Sequence, residues 1–308
     1  MEETINHFIR KIKDYLWWKY RQTGITDHWN DETYLRRLFR WKMGRRLNLE
    51  NPQTFNEKLQ WLKLNDHNPE YTKMVDKYEA KKYVAGIIGE EYIVPTLGIW
   101  EHFEEIDFEG LPDRFVLKCT HDSGGVVICN DKKEFDIEKA KEKLNRSLNR
   151  SYYLSSREWP YKNVKPRIIA EEYIENDSGM ELVDYKLMCF NGKVKCSFIC
   201  SRRYSKEGLK VTFYDREWKL MPFERHYQRE KKPAKKPENY EKMLELAERL
   251  SYGIPFVRVD FYNVDGRVLF GEMTFYPGSG IEEFSPEEWD YELGSWIQLP
   301  SKKGQEQQ

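Results

Sequence analysis

Asp260 and Glu272 stand on either side of a short turn in VRVDFYNVDGRVLFGEMTFYPGSG, residues 257–280, and Arg258 lies two residues before the first acid. Val257, Val259 and Phe261 alternate with Arg258, Asp260 and Tyr262, so a strand here turns its apolar residues to a core and Arg258 with Asp260 to the other face. Asp265 followed by Gly266 is a hairpin signal, and the returning strand, 268–274, brings Glu272 close to the level of Asp260. Two converging carboxylates suit magnesium, which takes one or two acids and completes its shell with phosphate and water. The same segment also fits a surface hairpin with two solvated acids.

A second constellation is FVLKCTHDSGG, residues 115–125. A short strand carries Lys118, and a turn with His121, Ser123, Gly124 and Gly125 leads into the strand VVIC. Glycines let backbone N–H groups approach an anion, and a lysine alongside can neutralise phosphate charge. Serine followed by two glycines is also an ordinary hairpin turn, and His121 serves equally as phosphate contact or as filler of that turn. Downstream, IIAEEYI (168–174) runs an apolar strand into acids, and DYKLMCFNGKV (184–194) follows. A strand with free backbone groups can meet the edge of adenine, and a nearby acid can accept from ribose hydroxyls.

These residues need a scaffold, and the chain is long enough to build one. It has 308 residues, 39% hydrophobic, with 51 basic and 52 acidic side chains that nearly cancel. That balance gives no reason to expect a nucleic-acid partner. Five cysteines, Cys119, Cys129, Cys189, Cys196 and Cys200, form no CxxC pair, so we read them as reduced core thiols of a cytoplasmic protein and expect no structural zinc. No apolar run reaches the roughly 18 residues of a membrane span, and the N-terminus lacks a signal-peptide core. Residues 1–48 carry 11 Lys or Arg against 6 Asp or Glu. Within them, Ile5, Phe8, Ile9, Ile12, Leu16 and Tyr20 follow a helical repeat with basic residues between. Such a helix fits docking on its own domain, and it also fits an anionic membrane surface.

Further along, Thr54 and Glu57 have capping-box spacing for a helix in NPQTFNEKLQWLKL, residues 51–64, and a second helix is expected over 73–85. Strands are expected at 92–95, 115–119, 126–129, 167–174 and 185–201, the last broken at Asn191-Gly192, with helix over 136–148. The polar, basic stretch 203–236 reads as loop or lid, and a helix over 239–252 precedes the carboxylate hairpin. Strands and helices mixed in this order indicate an α+β architecture.

The order Asp76-Lys77, Lys118 with its glycine turn, Ile-Ala-Glu-Glu-Tyr-Ile, Arg258-Val-Asp260, and Glu272 with Thr274 resembles the ATP-grasp superfamily from about residue 76 to 300. NPQTFNEKLQWLKLND, IGEEYIVPTLG at 88–98 and GEMTFYPGSG at 271–280 resemble more closely its TupA-like branch, named for teichuronopeptide synthesis. That resemblance implies an ATP-grasp fold, two α+β subdomains clasping ATP. It places a helical, basic and aromatic region at 1–75 and the ATP-grasp domain at 76–300 (lid subdomain about 100–170, catalytic subdomain about 171–300), followed by a polar tail at 301–308. It implies that Lys77 and Lys118 meet ATP phosphates, that the turn from His121 to Gly125 covers them, and that Glu171, Glu172, Tyr173 and Ile174 hold adenine. By the same resemblance Asp184 would meet the ribose, Arg258 the transferred phosphate, and Asp260 and Glu272 magnesium or manganese. Thr274 stands where the family usually has a metal-binding asparagine.

The activity so implied is ATP-dependent joining of a carboxylate to an amine through an acylphosphate, on a uronic acid of a capsular or cell-wall polysaccharide. Arg202, Arg203 and the lysines of 231–236 would attract such an acidic glycan; a solvated basic loop explains them too. The sequence leaves open a sugar kinase, which shares the ATP and magnesium groups, a glycosyltransferase, and a glycan- or membrane-docking protein without turnover.

Overall fold

The computed structural model describes residues 2–175, 182–202, 205 and 208–301, with side chains from residue 12 onward. Arg203, the tail beyond residue 301, and the side chains of Ile5, Phe8 and Ile9 lie outside that description.

Helices α1 (Glu2–Gln22), α2 (Asp31–Met43), α3 (Phe55–Asn65), α4 (Glu70–Val75) and α5 (Glu79–Ile88) open the chain, and α6 (Ile137–Leu148), α7 (Tyr153–Ser156), α8 (Tyr240–Leu250) and α9 (Glu288–Ser295) follow among the strands. The strands are β1 (Thr96–Trp100), β2 (Phe115–Cys119), β3 (Val126–Cys129), β4 (Ile168–Glu172), β5 (Asp184–Phe190), β6 (Lys193–Ser201), β7 (Lys210–Asp215), β8 (Glu224–Arg225), β9 (Phe256–Val264), β10 (Arg267–Thr274) and β11 (Phe284–Ser285). They form a four-stranded sheet in the order β1-β4-β2-β3, a five-stranded sheet in the order β10-β9-β5-β6-β7, and the small pair β11-β8. Their pairings are antiparallel throughout, as an α+β protein requires.

Each large sheet has its own core. Phe115, Leu117, Cys119, Ile168 and Ala170 of the smaller sheet pack with Ala140 and Leu144 of α6 and with Phe103 and Ile106. The larger core joins Leu187, Cys189, Val257, Val259 and Phe261 to α8 and extends through Phe55 and Leu59 of α3 to Tyr34 and Leu38 of α2. Phe55 meets the Phe256 ring edge-on at 5.0 Å. Each such fully buried aromatic contributes roughly 1.5–3 kcal/mol. The Thr54 capping box forms as spaced, with Glu57 N donating to Thr54 Oγ1 at 3.2 Å and Thr54 N to Glu57 Oε2 at 3.2 Å.

Three expectations about elements are corrected. The helix expected over 73–85 is interrupted: Asp76 Oδ1 accepts from Tyr78 N (2.9 Å) and Glu79 N (3.3 Å), starting α5, while Lys77 N donates to Thr120 O at 3.1 Å. Aspartate competes with the helix backbone in this way. The strand expected at 92–95 lies instead at Thr96–Trp100, after a 3-10 turn at Glu90–Tyr92. Pro95 lacks an N–H and offers only its carbonyl, which accepts from Glu172 N at 3.1 Å. The stretch 203–236 is not all loop, because Lys210–Asp215 closes the larger sheet as β7, with Val211, Phe213 and Tyr214 buried.

Candidate active site

Strand register assembles the first half of the site. The β9–β10 hairpin turns at Asp265 and Gly266, both with positive φ, and places Glu272 directly opposite Asp260 and Thr274 opposite Arg258. A bulge between Phe270 and Glu272 falls at Gly271, where a Cβ would lie 3.2 Å from Asp260 O. On the other side of β9, β5 sets Lys186 opposite Asp260, β6 sets Phe198 opposite Lys186, and β7 sets Phe213 opposite Phe198. One row across the sheet therefore reads Glu272, Asp260, Lys186, Phe198, Phe213.

Arg258 ties this row together. Its Nε donates to Asp260 Oδ1 at 2.6 Å, and its Nη2 donates to Asp260 Oδ2 (2.7 Å), Glu272 Oε1 (2.6 Å) and Thr274 Oγ1 (3.0 Å). Lys186 pairs with both Asp260 and Asp184. Burial pushes the Asp260 carboxyl up to about 6, against the pull of Arg258 and Lys186, and the neighbouring charges of Asp184 and Glu272 add to the rise. Glu272 goes the other way. The protein around it works to raise its pKa, but Arg258, then Lys186 and Lys77, outweigh that and hold it at about 2.

The second half comes from the smaller sheet and the α4–α5 break. Lys118 of β2 pairs with Glu171 of β4, whose other oxygen takes Lys81 of α5 at 2.6 Å. Burial would raise Glu171, yet the two lysines lower it. Lys77 donates to Asp122 O in the turn after β2 and feels the charge of Glu272, so it links that turn to the carboxylate row. His121 is buried, with Nε2 at 3.1 Å from both Ser147 O and Arg150 O, while Ser123 and Gly124 are exposed. A Cβ at Gly125 would stand 2.3 Å from Ser147 Oγ and 2.9 Å from Asp122 Oδ1, so only glycine fits there. Glu172 is exposed, the Tyr173 ring lies under the Arg114 guanidinium at 4.2 Å, and Ile174 packs on the small core of Val94, Val264 and Leu269. Asp184 Oδ1 is buried without a hydrogen-bond partner.

Sequence reasoning missed several members. Lys186 and Lys81 are in direct ion pairs with the residues it named; Lys186 had a signal, being two residues after Asp184 on one strand face. Glu158 had none. It is buried, accepts from Ser279 Oγ at 2.6 Å and Ser156 Oγ at 2.9 Å, and lies near Lys63, whose ammonium donates to Ser156 O and Ser279 O. The rings of Tyr152 and Tyr161, 4.6 Å apart, sit where the charges of both Glu158 and Glu272 reach their hydroxyls.

A five-stranded antiparallel sheet bearing acids and Arg258, opposed by a smaller sheet bearing Lys118, is the ATP-grasp architecture. The family model described as TupA-like ATPgrasp matches residues 57–298, and the chain belongs to that family. Among solved structures it is similar to D-alanine–D-alanine ligase from Bacillus anthracis complexed with ATP (15% identity, 66% of this chain and 53% of that one, TM-score 0.38). It is also similar to D-alanine–D-alanine ligase from Helicobacter pylori (16%, 74% and 61%, TM-score 0.39) and to a RimK domain ATP-grasp protein from Sphaerobacter thermophilus DSM 20745 (12%, 74% and 69%, TM-score 0.41). The chain thus spans about half to three fifths of the first two. A comparison with curated proteins found no match.

Proposed function

We propose that this protein is an ATP- and magnesium-dependent ligase that joins a carboxylate to an amine, with a uronic acid of a capsular or cell-wall polysaccharide as the acid. The observation that carries the reading is the row Glu272–Asp260–Lys186, bridged by Arg258 and linked through Lys77 to the turn after Lys118. In the reaction a carboxylate oxygen attacks the terminal phosphorus of ATP and the bond to ADP breaks. The amine then attacks the acyl carbon, phosphate departs, and the amine loses a proton.

The donor set fits magnesium. Asp260 and Glu272 supply oxygen ligands side by side, and Thr274 adds a hydroxyl. Among the described residues no group of three or more His, Cys, Asp or Glu could hold a metal ion, so phosphate and water would have to complete the shell of a magnesium ion here. When bound, it would neutralise charge on the phosphates. The protein's own part is positioning and charge: Lys77 and Lys118 meet phosphates, Lys118 exchanging Glu171 for ATP, and Arg258 faces the transferred group while keeping both acids ionised and aligned. Glu171 to Ile174 and Asp184 are proposed for adenine and ribose.

A cavity of about 600 Å³ lined by Arg202, Lys210, Arg229, Lys231 and Lys232, with Glu224 and Glu230, supports an acidic glycan as partner. ATP supply favours the cytoplasm, and the exposed apolar side of α1 favours its membrane face. The test is calorimetry with Mg²⁺ and ATP. Wild type should bind, Lys118→Ala and Glu272→Gln, shown to be folded, should lose at least about tenfold, and ADP release should then require a uronic acid with an amine. Wild type that binds no nucleotide refutes the ligase; a stable phosphorylated sugar makes it a kinase.

A further inference from the structure

Among the described residues, Arg225 is the buried charged group whose bonding is least complete. It lies on β8 opposite Phe284, is 6% exposed, and lays its guanidinium over Phe198 at 4.9 Å and Phe213 at 5.3 Å. Those two rings are the apolar end of the row that begins with Glu272 and Asp260. Arg258 stands over the same Phe198 ring at 5.7 Å. Arg258 spends Nε and Nη2 on Asp260, Glu272 and Thr274, whereas Arg225 has one ion pair, Nε to Glu282 Oε2 at 3.0 Å, and neither its Nε nor its Nη1 makes a hydrogen bond. Burial and the nearby Arg258 both work against its charge.

A buried N–H without an acceptor is destabilising, and more so on a charged group. An arginine kept only to pin β8 to Glu282 would be expected to spend its donors on protein. Guanidinium donors form a planar fork that matches carboxylate and phosphate oxygens. We propose that Arg225 clamps the acid being activated, holding its carboxylate, and then its acylphosphate, beside Arg258. This rests on the ligase reading. It assigns the acid to the β6–β7 side of the catalytic row and leaves the β10 side, near Glu158 and Ser279, for the amine.

The test reads Arg225 directly. Full-length protein labelled with ¹⁵N-arginine is titrated with acetyl phosphate, the smallest acylphosphate, at an ionic strength fixed with chloride. The Arg225 Nε–H resonance is identified as the one missing from Arg225→Lys. It should shift saturably, with Arg258 following at the same midpoint. Affinity read at Arg258 should fall at least about tenfold in Arg225→Lys, whose ammonium lacks the fork, and should rise in Glu282→Gln, which removes the carboxylate charge that competes for Arg225. An Arg225 resonance that does not move, or moves without saturating, overturns the clamp, and so does wild-type affinity in Arg225→Lys. A merely structural arginine would show lower melting temperatures in both variants and no anion response. Calorimetry with Mg²⁺ and ATP on the same sample tests the ligase reading separately, since acetyl phosphate binding at Arg225 requires no nucleotide.

Discussion

Asp260 and Glu272 face each other on neighbouring strands, yet burial lifts the first to about 6 while Arg258, Lys186 and Lys77 hold the second near 2. As pH falls through about 6, Asp260 therefore takes up a proton while Glu272 stays ionised. Affinity for magnesium-bound nucleotide should be level above pH 7 and fall about tenfold per pH unit below 6, as one proton uptake requires; calorimetry across pH 5 to 8 measures it, and Asp260→Asn should bind weakly with no such slope. Stability moves the opposite way. An acid whose folded pKa lies above its unfolded value contributes stability that is fully present below about pH 4 and is lost as pH rises through about 6. Denaturant titrations of wild type against Asp260→Asn should show wild type gaining on the variant as pH falls from 7 to 5. The two acids were legible in the sequence because a hairpin with an Asp-Gly turn is local, and a period of two fixes which residues meet. Lys186, Glu158 and Arg225 were not read as site residues. Lys186 reaches Asp260 only because β5 pairs with β9 across 74 positions of chain, and Glu158 and Arg225 acquire their burial from tertiary packing that no local spacing encodes.

At the scale of elements, the break between α4 and α5 does for Lys77 what strand register does for Asp260. Asp76 starts α5 with one oxygen and takes Arg167 at 2.8 Å with the other, which fixes the peptide that bonds to Thr120 O and points Lys77 at the turn after β2. Asp76→Ala removes a helix cap and leaves a largely buried arginine with only Glu79, so it should cost about 1–3 kcal/mol in denaturant unfolding and weaken nucleotide binding as well. Gly125→Ala separates the two effects. Its Cβ would collide with Ser147 Oγ and Asp122 Oδ1, displacing the turn itself, so nucleotide affinity should drop with little change in the larger core. Sequence pattern located β2, β3, α6, α8 and the β9–β10 hairpin well, since each carries a clear period or turn. It lost the α4–α5 break because Asp76 sits inside an apolar helical repeat, and it lost β7 because a basic, polar neighbourhood masked the alternation of Val211 and Phe213.

For the molecule as a whole, α1 poses the sharpest question, because apolar side chains on one side of it are left exposed. It attaches through Trp17, 5.9 Å from the Tyr34 ring and 6.0 Å from that of Trp41, through Arg21 Nη2 to Ser155 Oγ at 3.0 Å, and through the Asp14–Lys42 pair. Asp14, Trp17 and Arg21 share one side of the helix. Ile12, Tyr15 and Leu16 share the opposite side, 43–53% exposed, with Trp18 stacked on Tyr15 at 6.0 Å. No helix among the described residues is long and apolar enough to cross a membrane; we propose that this exposed face rests on a lipid surface, with the basic excess of residues 1–48 drawing it to anionic headgroups. Full-length protein should sediment with vesicles containing phosphatidylglycerol, more weakly with neutral ones, and less as salt rises and the Debye length shortens. Ile12→Asp with Leu16→Asp should abolish sedimentation while leaving Mg²⁺ and ATP binding intact, because neither residue touches the carboxylate row or Lys118. Equal binding to neutral and anionic vesicles, or sedimentation unchanged by the two aspartates, would remove the membrane from this account and leave the exposed face of α1 to another partner.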